Sequence, residues 1–477
     1  MKRSILIPAA LLALLLAAGC ARSAGSDASA AAEPVGTPAV TAPATERANP
    51  TATPGVYLDG FFCSENAQVL PLTGRRIPAR ELAEALSRLP EVRRVEMRDA
   101  PYTPEERAML RERYPSVVFQ WPVELLGETF LSTASEISFA GREDLTKASL
   151  EAIRDAMDEF FSLYTVDLTG CGFENDTLFA LSRSLGDTDV RWRFDLCGVE
   201  VCSTDREIDL SDHKLRDRIE ELESALPFLS RLQKVVMCDC GVDNETMAAL
   251  NEKYEHIRFV WMVDIEWAAI RTDNLYFTPY AASGVRQTRR LTGLKNLKYC
   301  PDLIALDIGH CHTQDLSYLA VMPHLRYLIL AENYVTDITL VGELKELKWL
   351  EMFQCVTRDL SPLLGCTALE DLNICYISTP GDNVYETLRQ MTWLKRLWCS
   401  GTRMSKAQLA ALREELPDCE IWCRTGDEST GSTWRYSESY YEMRDAFHMY
   451  YMGITGNQVA RLDAEGLEKM HKRFWKD

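Results

Sequence analysis

Positive charge is in short supply. The chain carries 52 basic residues against 71 acidic ones, a net charge of −19. That balance argues against a nucleic-acid partner, whose backbone demands a basic patch, and it disfavours adsorption to anionic lipid. Long apolar runs are almost absent as well. Beyond residue 20 no stretch has the length and hydropathy to span a membrane. Catalytic motifs are missing: there is no H-E-x-x-H, G-x-S-x-G or Walker A pattern. Histidine is rare, with seven in 477 residues. Its one tight group, His310-Cys311-His312, lies in a strand-to-turn segment where neighbouring side chains diverge. Carboxylate pairs are plentiful, but none is marked by its surroundings. These absences predict a protein that is not an enzyme, with no metal and no cofactor.

The chain opens with Lys2 and Arg3, then an apolar run from Ile5 to Ala18, too short to favour a spanning helix. Leu16-Ala17-Ala18-Gly19-Cys20 resembles the lipobox of bacterial lipoproteins. The resemblance implies cleavage before Cys20 and lipidation of its thiol, hence attachment to the extracytoplasmic face of the cell membrane through lipid alone. Acyl chains stabilise attachment by roughly 0.8 kcal/mol per buried CH₂, so two or three make it effectively permanent. Residues 21–55 are Ala, Ser, Thr, Pro and Gly with scattered charges. Such a segment buries too little apolar area to offset its ordering entropy. It reads as a disordered tether with a reach of roughly 100 Å at about 3.1 Å per residue.

Repetition decides the fold expectation. Leu303, Leu325, Leu347 and Leu369 lie 22 residues apart, and so do Leu306, Leu328, Leu350 and Leu372. Ile308, Leu330, Met352 and Ile374 keep the step, followed by Cys311, Asn333 and Cys355. This is L-x-x-L-x-L-x-x-N/C, the leucine-rich-repeat signature. Asp315-Leu316-Ser317, Asp337-Ile338-Thr339 and Asp359-Leu360-Ser361 recur in register, each Asp placed to accept from the free N–H groups of a turn. Leu319, Val341 and Leu363 are expected to return to the core. Helices are expected at 382–391 and 405–416, the second opened by a Ser405-x-x-Gln408 capping box.

The frame extends backwards at a longer step. Its first positions, Val92, Leu163, Leu232 and Leu303, are separated by 71, 69 and 71 residues. Each long unit also holds a tryptophan segment, expected as a single strand: VVFQWPVEL at 117–125, VRWRFDL at 190–196 and IRFVWMVDI at 257–265. Further strands at Glu136–Ala140 and Glu207–Ser211 precede amphipathic helices, and Thr103-Pro104-Glu105-Glu106 marks a helix start. A unit therefore reads strand–helix–strand–helix–strand, which implies parallel pairing.

The 22-residue unit resembles the internalin-like class of leucine-rich repeats. The layout as a whole is similar to leucine-rich-repeat lipoproteins of Gram-positive anaerobic bacteria, on the strength of the tryptophan segments, LKYCPDLIALDIGHC at 297–311 and YYEMRDAFHM at 440–449. The expected fold is an α/β leucine-rich-repeat solenoid with parallel β-strands and intervening helices, its N-terminal half built of divergent units of about 70 residues. The expected divisions are a signal peptide (1–20), the tether (21–55), long repeats (56–300), leucine-rich repeats (301–423) and an aromatic tail or cap (424–477).

Fifteen cysteines in an exported chain would normally signal disulfides. Cys171, Cys240, Cys311 and Cys355, however, share the ladder position, where a small side chain packs under the backbone of the next turn; they are expected as buried thiols. Cys375 and Cys399 are expected to point out of their strands or lie at the edge, and Cys419 and Cys423 flank a strand, too far apart to bridge each other. The residues between the inward leucines should line the concave sheet face. Tyr327, Trp349, Glu351, Phe353, Arg396 and Trp398 are the candidate ligand-binding residues there, for a protein, peptide or glycan. The tail, with Trp434, Tyr436, Tyr440, Tyr441, Phe447, Tyr450 and Tyr451, offers a competing outcome: it caps the same face.

Overall fold

The computed structural model describes residues 54–266, 268–279 and 291–423, together with Tyr440, Met443 and Phe447. The Cys20 motif, the tether to residue 53 and the rest of the tail lie outside the described residues. Among the described residues no helix is long and apolar enough to cross a membrane.

The 22-residue step becomes a seven-stranded parallel sheet. Its strands follow chain order: Tyr276–Phe277, Ala305–Asp307, Tyr327–Ile329, Trp349–Glu351, Asp371–Asn373, Arg396–Trp398 and Glu420–Trp422. Leu306, Leu328, Leu350, Leu372, Leu397 and Ile421 pair in one row across the rungs. All but the half-buried Ile421 are removed from solvent. The strands stay short because the chain turns just beyond them. His310, Glu332, Gln354 and Tyr376 take φ of 58°, 56°, 54° and 59°, and Gly401 takes the same place at 69°. Each of the first four donates its N–H to the next rung, at Ala331, Phe353, Cys375 and Ser400 respectively. This is the fold of a leucine-rich-repeat solenoid.

The returning half of each unit follows its length. Between rungs 22 residues apart the chain makes short 3₁₀ turns, Ser317–Val321, Val341–Glu343 and Ser361–Gly365. From Leu372 to Leu397 and on to Ile421 the steps are 25 and 24 residues, and α-helices fit at Gly381–Leu388 and Lys406–Glu415. The Ser405–Gln408 capping box forms in both directions, at 2.8 and 3.2 Å. The Asp residues act as expected: Asp315, Asp337 and Asp359 accept from the N–H two residues on, at 2.8, 2.9 and 2.9 Å. Leu319, Val341 and Leu363 are buried.

The ladder thiols are buried, and most reach backwards rather than forwards. Cys171 donates to Phe139 O at 3.1 Å, Cys240 to Leu210 O at 3.1 Å and Cys355 to Leu330 O at 3.2 Å, all on the preceding turn. Asn333 does the same through Nδ2, to Ile308 O at 2.8 Å, while its Oδ1 accepts from Thr313 N–H. Side-chain periodicity cannot reveal this direction, because it depends on which main-chain carbonyl the turn leaves unpaired. Burial pushes the thiol of Cys355 up to about 12.

Upstream, three units each contain a three-stranded parallel sheet. The first joins Val69–Pro71, Arg94–Glu96 and Val118–Gln120. The second joins Glu136–Ser138, Thr165–Asp167 and Asp189–Arg191, and the third Glu207–Asp209, Lys234–Val236 and Arg258–Val260. The tryptophan segments are not single strands. Parallel pairing stops at Trp121, Trp192 and Trp261, and the chain enters an antiparallel hairpin: Pro122–Leu125 with Glu128–Leu131, Arg193–Leu196 with Val199–Cys202, Met262–Ile265 with Ala268–Arg271. A fourth hairpin, Gly55–Leu58 with Phe61–Ser64, precedes them.

The reason for each break is a hydroxyl inserted at the tryptophan. Ser132, Ser203 and Thr272 each accept from the tryptophan N–H, at 3.1, 3.1 and 3.3 Å. Ser132 and Ser203 also donate to Phe119 O and Val190 O on the last parallel strand. The turns at Asp59-Gly60, Leu126-Gly127 and Cys197-Gly198 have positive φ at both positions, the two-residue hairpin turn that suits the right-handed twist of its strands.

One continuous core runs from Leu125 to Leu416, and a second lies between Leu58 and Val123. Phe160 packs against both.

The concave face and its occupants

Alternation along a strand sends every second side chain to the same sheet face. In the upstream units that face is mixed, with charged pairs beside apolar residues such as Val69, Val236 and Val260. Arg191 meets Glu136 at 2.7 Å, and Lys234 meets Glu207 at 3.2 Å and Asp273 at 3.0 Å. From Tyr276 onwards the same positions turn apolar: Ala305, Ile329, Ala331, Trp349, Phe353, Cys375 and Trp398 form one cluster, with Tyr327 and Trp422 at its border.

The rings are in contact. The centroids of Trp349 and Trp398 are 5.7 Å apart, and Trp398 stacks on Trp422 at 4.9 Å with 6° between the planes. Phe353 meets Tyr376 edge-on at 5.8 Å. Beside them Arg396 grips Asp371 with two hydrogen bonds, Nε to Oδ1 at 2.5 Å and Nη2 to Oδ2 at 2.9 Å.

The face is covered. Tyr440, Met443 and Phe447 from the tail belong to the same buried cluster, and Tyr440 meets Trp349 edge-on at 5.8 Å. Trp349 and Trp398 are each 1% exposed. The expectation of an accessible aromatic patch is therefore corrected, and the capped alternative is what the structure holds. The physical cause is apolar area: fully burying a large apolar side chain is worth about 1.5–3 kcal/mol against leaving it in water. Three such side chains join the buried cluster on this face.

Of the six candidate residues, Trp349, Glu351, Phe353 and Trp398 are buried on this face, while Tyr327 and Arg396 are half-buried. Five lie within the strands, and Phe353 follows its strand by two residues on the same face. Arg396 is committed to Asp371. Beyond the six candidates, Asp371 lies beside Arg396 on this face, and Tyr276 and Trp422 border its apolar cluster. The tail contributes Met443 as well as aromatics, and Tyr440, Met443 and Phe447 are spaced three and four apart, the step of one helix face, which is the signal that marks Met443 in the sequence.

Three donors on this face remain unused among the described residues: the indole N–H groups of Trp349 and Trp398, and Nδ2 of Asn373. A buried donor without a partner costs about 1–3 kcal/mol, so the face has capacity for acceptors that apolar cover does not supply.

The histidines do not converge. His310 Nδ1 lies 2.9 Å from Glu332, His312 packs edge-on against Tyr334, and Cys311 is buried in the ladder. Among the described residues no group of three or more His, Cys, Asp or Glu has metal-binding geometry.

No protein-family model matches this chain, and no curated protein matches it. Solved structures it is similar to include internalin C2 of Listeria monocytogenes, at 19% identity over 28% of this chain and 69% of that one, with a TM-score of 0.23. A second Listeria monocytogenes internalin aligns at 14% identity over 77% and 91%, TM-score 0.27. A leucine-rich-repeat protein of Leptospira interrogans aligns at 10% over 75% and 93%, TM-score 0.24. The fold assignment rests on the strand ladder of this chain itself.

Proposed function

We propose that this chain is a recognition protein held by lipid at Cys20 on the extracytoplasmic face of the cell membrane, and that it binds a protein or peptide rather than catalysing a reaction. The binding surface is the concave face between Tyr327 and Trp422. The observation that carries the reading is the seating of Tyr440, Met443 and Phe447 on that face. Side chains at a three- and four-residue step are what one face of an amphipathic helix presents, so the resident tail marks the kind of segment the surface accepts. A ligand of this kind competes with the tail, and its carbonyls or hydroxyls can reach the unused donors of Trp349, Asn373 and Trp398.

The same burial favours a second reading, in which the cap is permanent and the chain is a structural protein of the envelope. A labelled peptide of residues 436–451 separates the two. It should bind a chain ending at residue 423, and unlabelled partner segments should displace it. Failure of that peptide to bind, with Trp349 still shielded from acrylamide in the truncated chain, supports the structural reading. Displacement by oligosaccharides but not by helical peptides moves the ligand class to glycans. Attachment is checked separately: Cys20→Ala should release the protein from the membrane fraction and abolish incorporation of labelled lipid.

A further inference from the structure

The last two rungs of the solenoid bring two thiols side by side. Trp398 and Trp422 are partners in the parallel ladder, and Cys399 and Cys423 follow them. Cys399 donates its N–H to Trp422 O at 3.0 Å, so the pairing continues up to the two cysteines. Neighbouring strands lie about 4.8 Å apart, and a disulfide needs Cα atoms roughly 4.4–6.8 Å apart. The Cys423 thiol donates to Cys399 O at 3.4 Å and the Cys399 thiol to Trp422 O at 3.8 Å, so each thiol reaches the main chain of the other's rung. Cys399 was expected to point out of its strand or to lie at its edge. Instead it takes the last inward position of its rung, the place of Ile374 in the rung before, and is fully buried in the solenoid core. Cys423 is half-buried and packs against the same core.

We propose that Cys399 and Cys423 form a dithiol–disulfide pair that is oxidised by small-molecule disulfides and fastens the last rung to the solenoid. In the first step the Cys423 thiolate attacks one sulfur of the external disulfide. A bond forms from Cys423 Sγ to that sulfur, and the other sulfur leaves as a thiolate. In the second step Cys399 gives its proton to that thiolate and attacks Cys423 Sγ, expelling the remaining small thiolate, which takes a proton from water. Two protein thiols become one disulfide, and the external disulfide is reduced to two thiols.

The surroundings assign the attacking role to Cys423. The adjacent Cys399 thiol, opposed by burial and helped by Arg413, holds the Cys423 thiol down to about 7. Cys399 is pushed well up by its neighbour Cys423 and by burial, with Cys375 adding to the shift and Arg413 opposing it. The closed bond would span residues 399–423 and hold Trp422 against Trp398, at the end of the concave face. The inference is independent of what that face binds.

The test uses the reduced full chain equilibrated over a range of oxidised to reduced glutathione, trapped with N-ethylmaleimide and digested with trypsin. Cys399 leaves in peptide 397–403, while Cys419 and Cys423 share peptide 414–424, so Cys419→Ser is run in parallel. The expected product is the two peptides joined, lighter by two hydrogens, in both proteins. Alkylation of both thiols at every ratio, a stable glutathione adduct on Cys423, or a bridge from Cys423 to Cys375 overturns the proposal. A second readout is the pH profile of Cys423 alkylation in the reduced chain. Its midpoint should lie near 7 and move towards the ordinary thiol value of about 8.5 in Cys399→Ala; an unmoved midpoint also overturns it.

Discussion

At the residue scale, the solenoid interior depends on small donors that answer a carbonyl left by the preceding turn. Cys355 is fully buried and donates to Leu330 O. A carboxylate there has no donor to pair with and no water to solvate it. Cys355→Asp should therefore destabilise the fold by about 3 kcal/mol or more, read as a lower urea midpoint with an unchanged slope. Ser132 is a comparable device in the upstream units. Its hydroxyl accepts from Trp121 N–H at 3.1 Å and donates to Phe119 O at 2.6 Å. Ser132→Ala leaves a buried N–H unanswered and should cost roughly 1–3 kcal/mol in the same assay, whereas Ser132→Thr, which the third unit carries naturally as Thr272, should cost much less.

At the element scale, the turns that return each 22-residue unit to the sheet are held by carboxylates. The Thr339 hydroxyl and N–H hold Asp337 below the usual carboxylate range, and the Ser361 N–H with the Asn383 amide does the same to Asp359. A carboxyl lowered on folding contributes stability that is fully present above its unfolded pKa, about 3.9, and is lost as pH falls through the folded value. The melting temperature should be level above about pH 5 and fall below about pH 4. The double substitution Asp337→Asn, Asp359→Asn should make that acid limb shallower. An acid limb unchanged in the double variant would place the acid sensitivity elsewhere.

At the scale of the whole molecule, the face that distinguishes the C-terminal rungs from the upstream ones is stabilised by the chain's own tail. Trp349 lies under Tyr440 and touches Trp398. Trp349→Ala should lower stability by about 3–5 kcal/mol where that region unfolds, rather than leaving it untouched as an exposed side chain would. Phe447→Asp should lift the tail, raise acrylamide quenching of tryptophan and leave the far-ultraviolet circular dichroism of the ladder nearly unchanged. Unaltered quenching in Phe447→Asp would mean that the tail is not what shields the indoles.

The sequence by itself determined the ladder. A 22-residue step in Leu306, Leu328, Leu350 and Leu372 permits only stacked parallel rungs, because each unit can bury its leucines only against its neighbours. It also determined the buried ladder thiols, the Asp turns and the face on which Tyr327, Trp349, Glu351, Phe353, Arg396 and Trp398 lie, since all of these follow from local periodicity. Contacts distant in sequence were decided by the tertiary structure. The hairpins after Trp121, Trp192 and Trp261 depend on hydroxyls eleven residues further on, although the x-Gly pairs at Leu126-Gly127 and Cys197-Gly198 were a legible turn signal. Cys399 inward was legible as well, because placing Arg396 and Trp398 on the concave face sends Leu397 and Cys399 to the core by simple alternation. Whether the aromatic face is open or closed could not be read from its own rungs at all, because its cover arrives from residues 440–447, beyond the last strand, and a face of indoles is equally apolar with or without them.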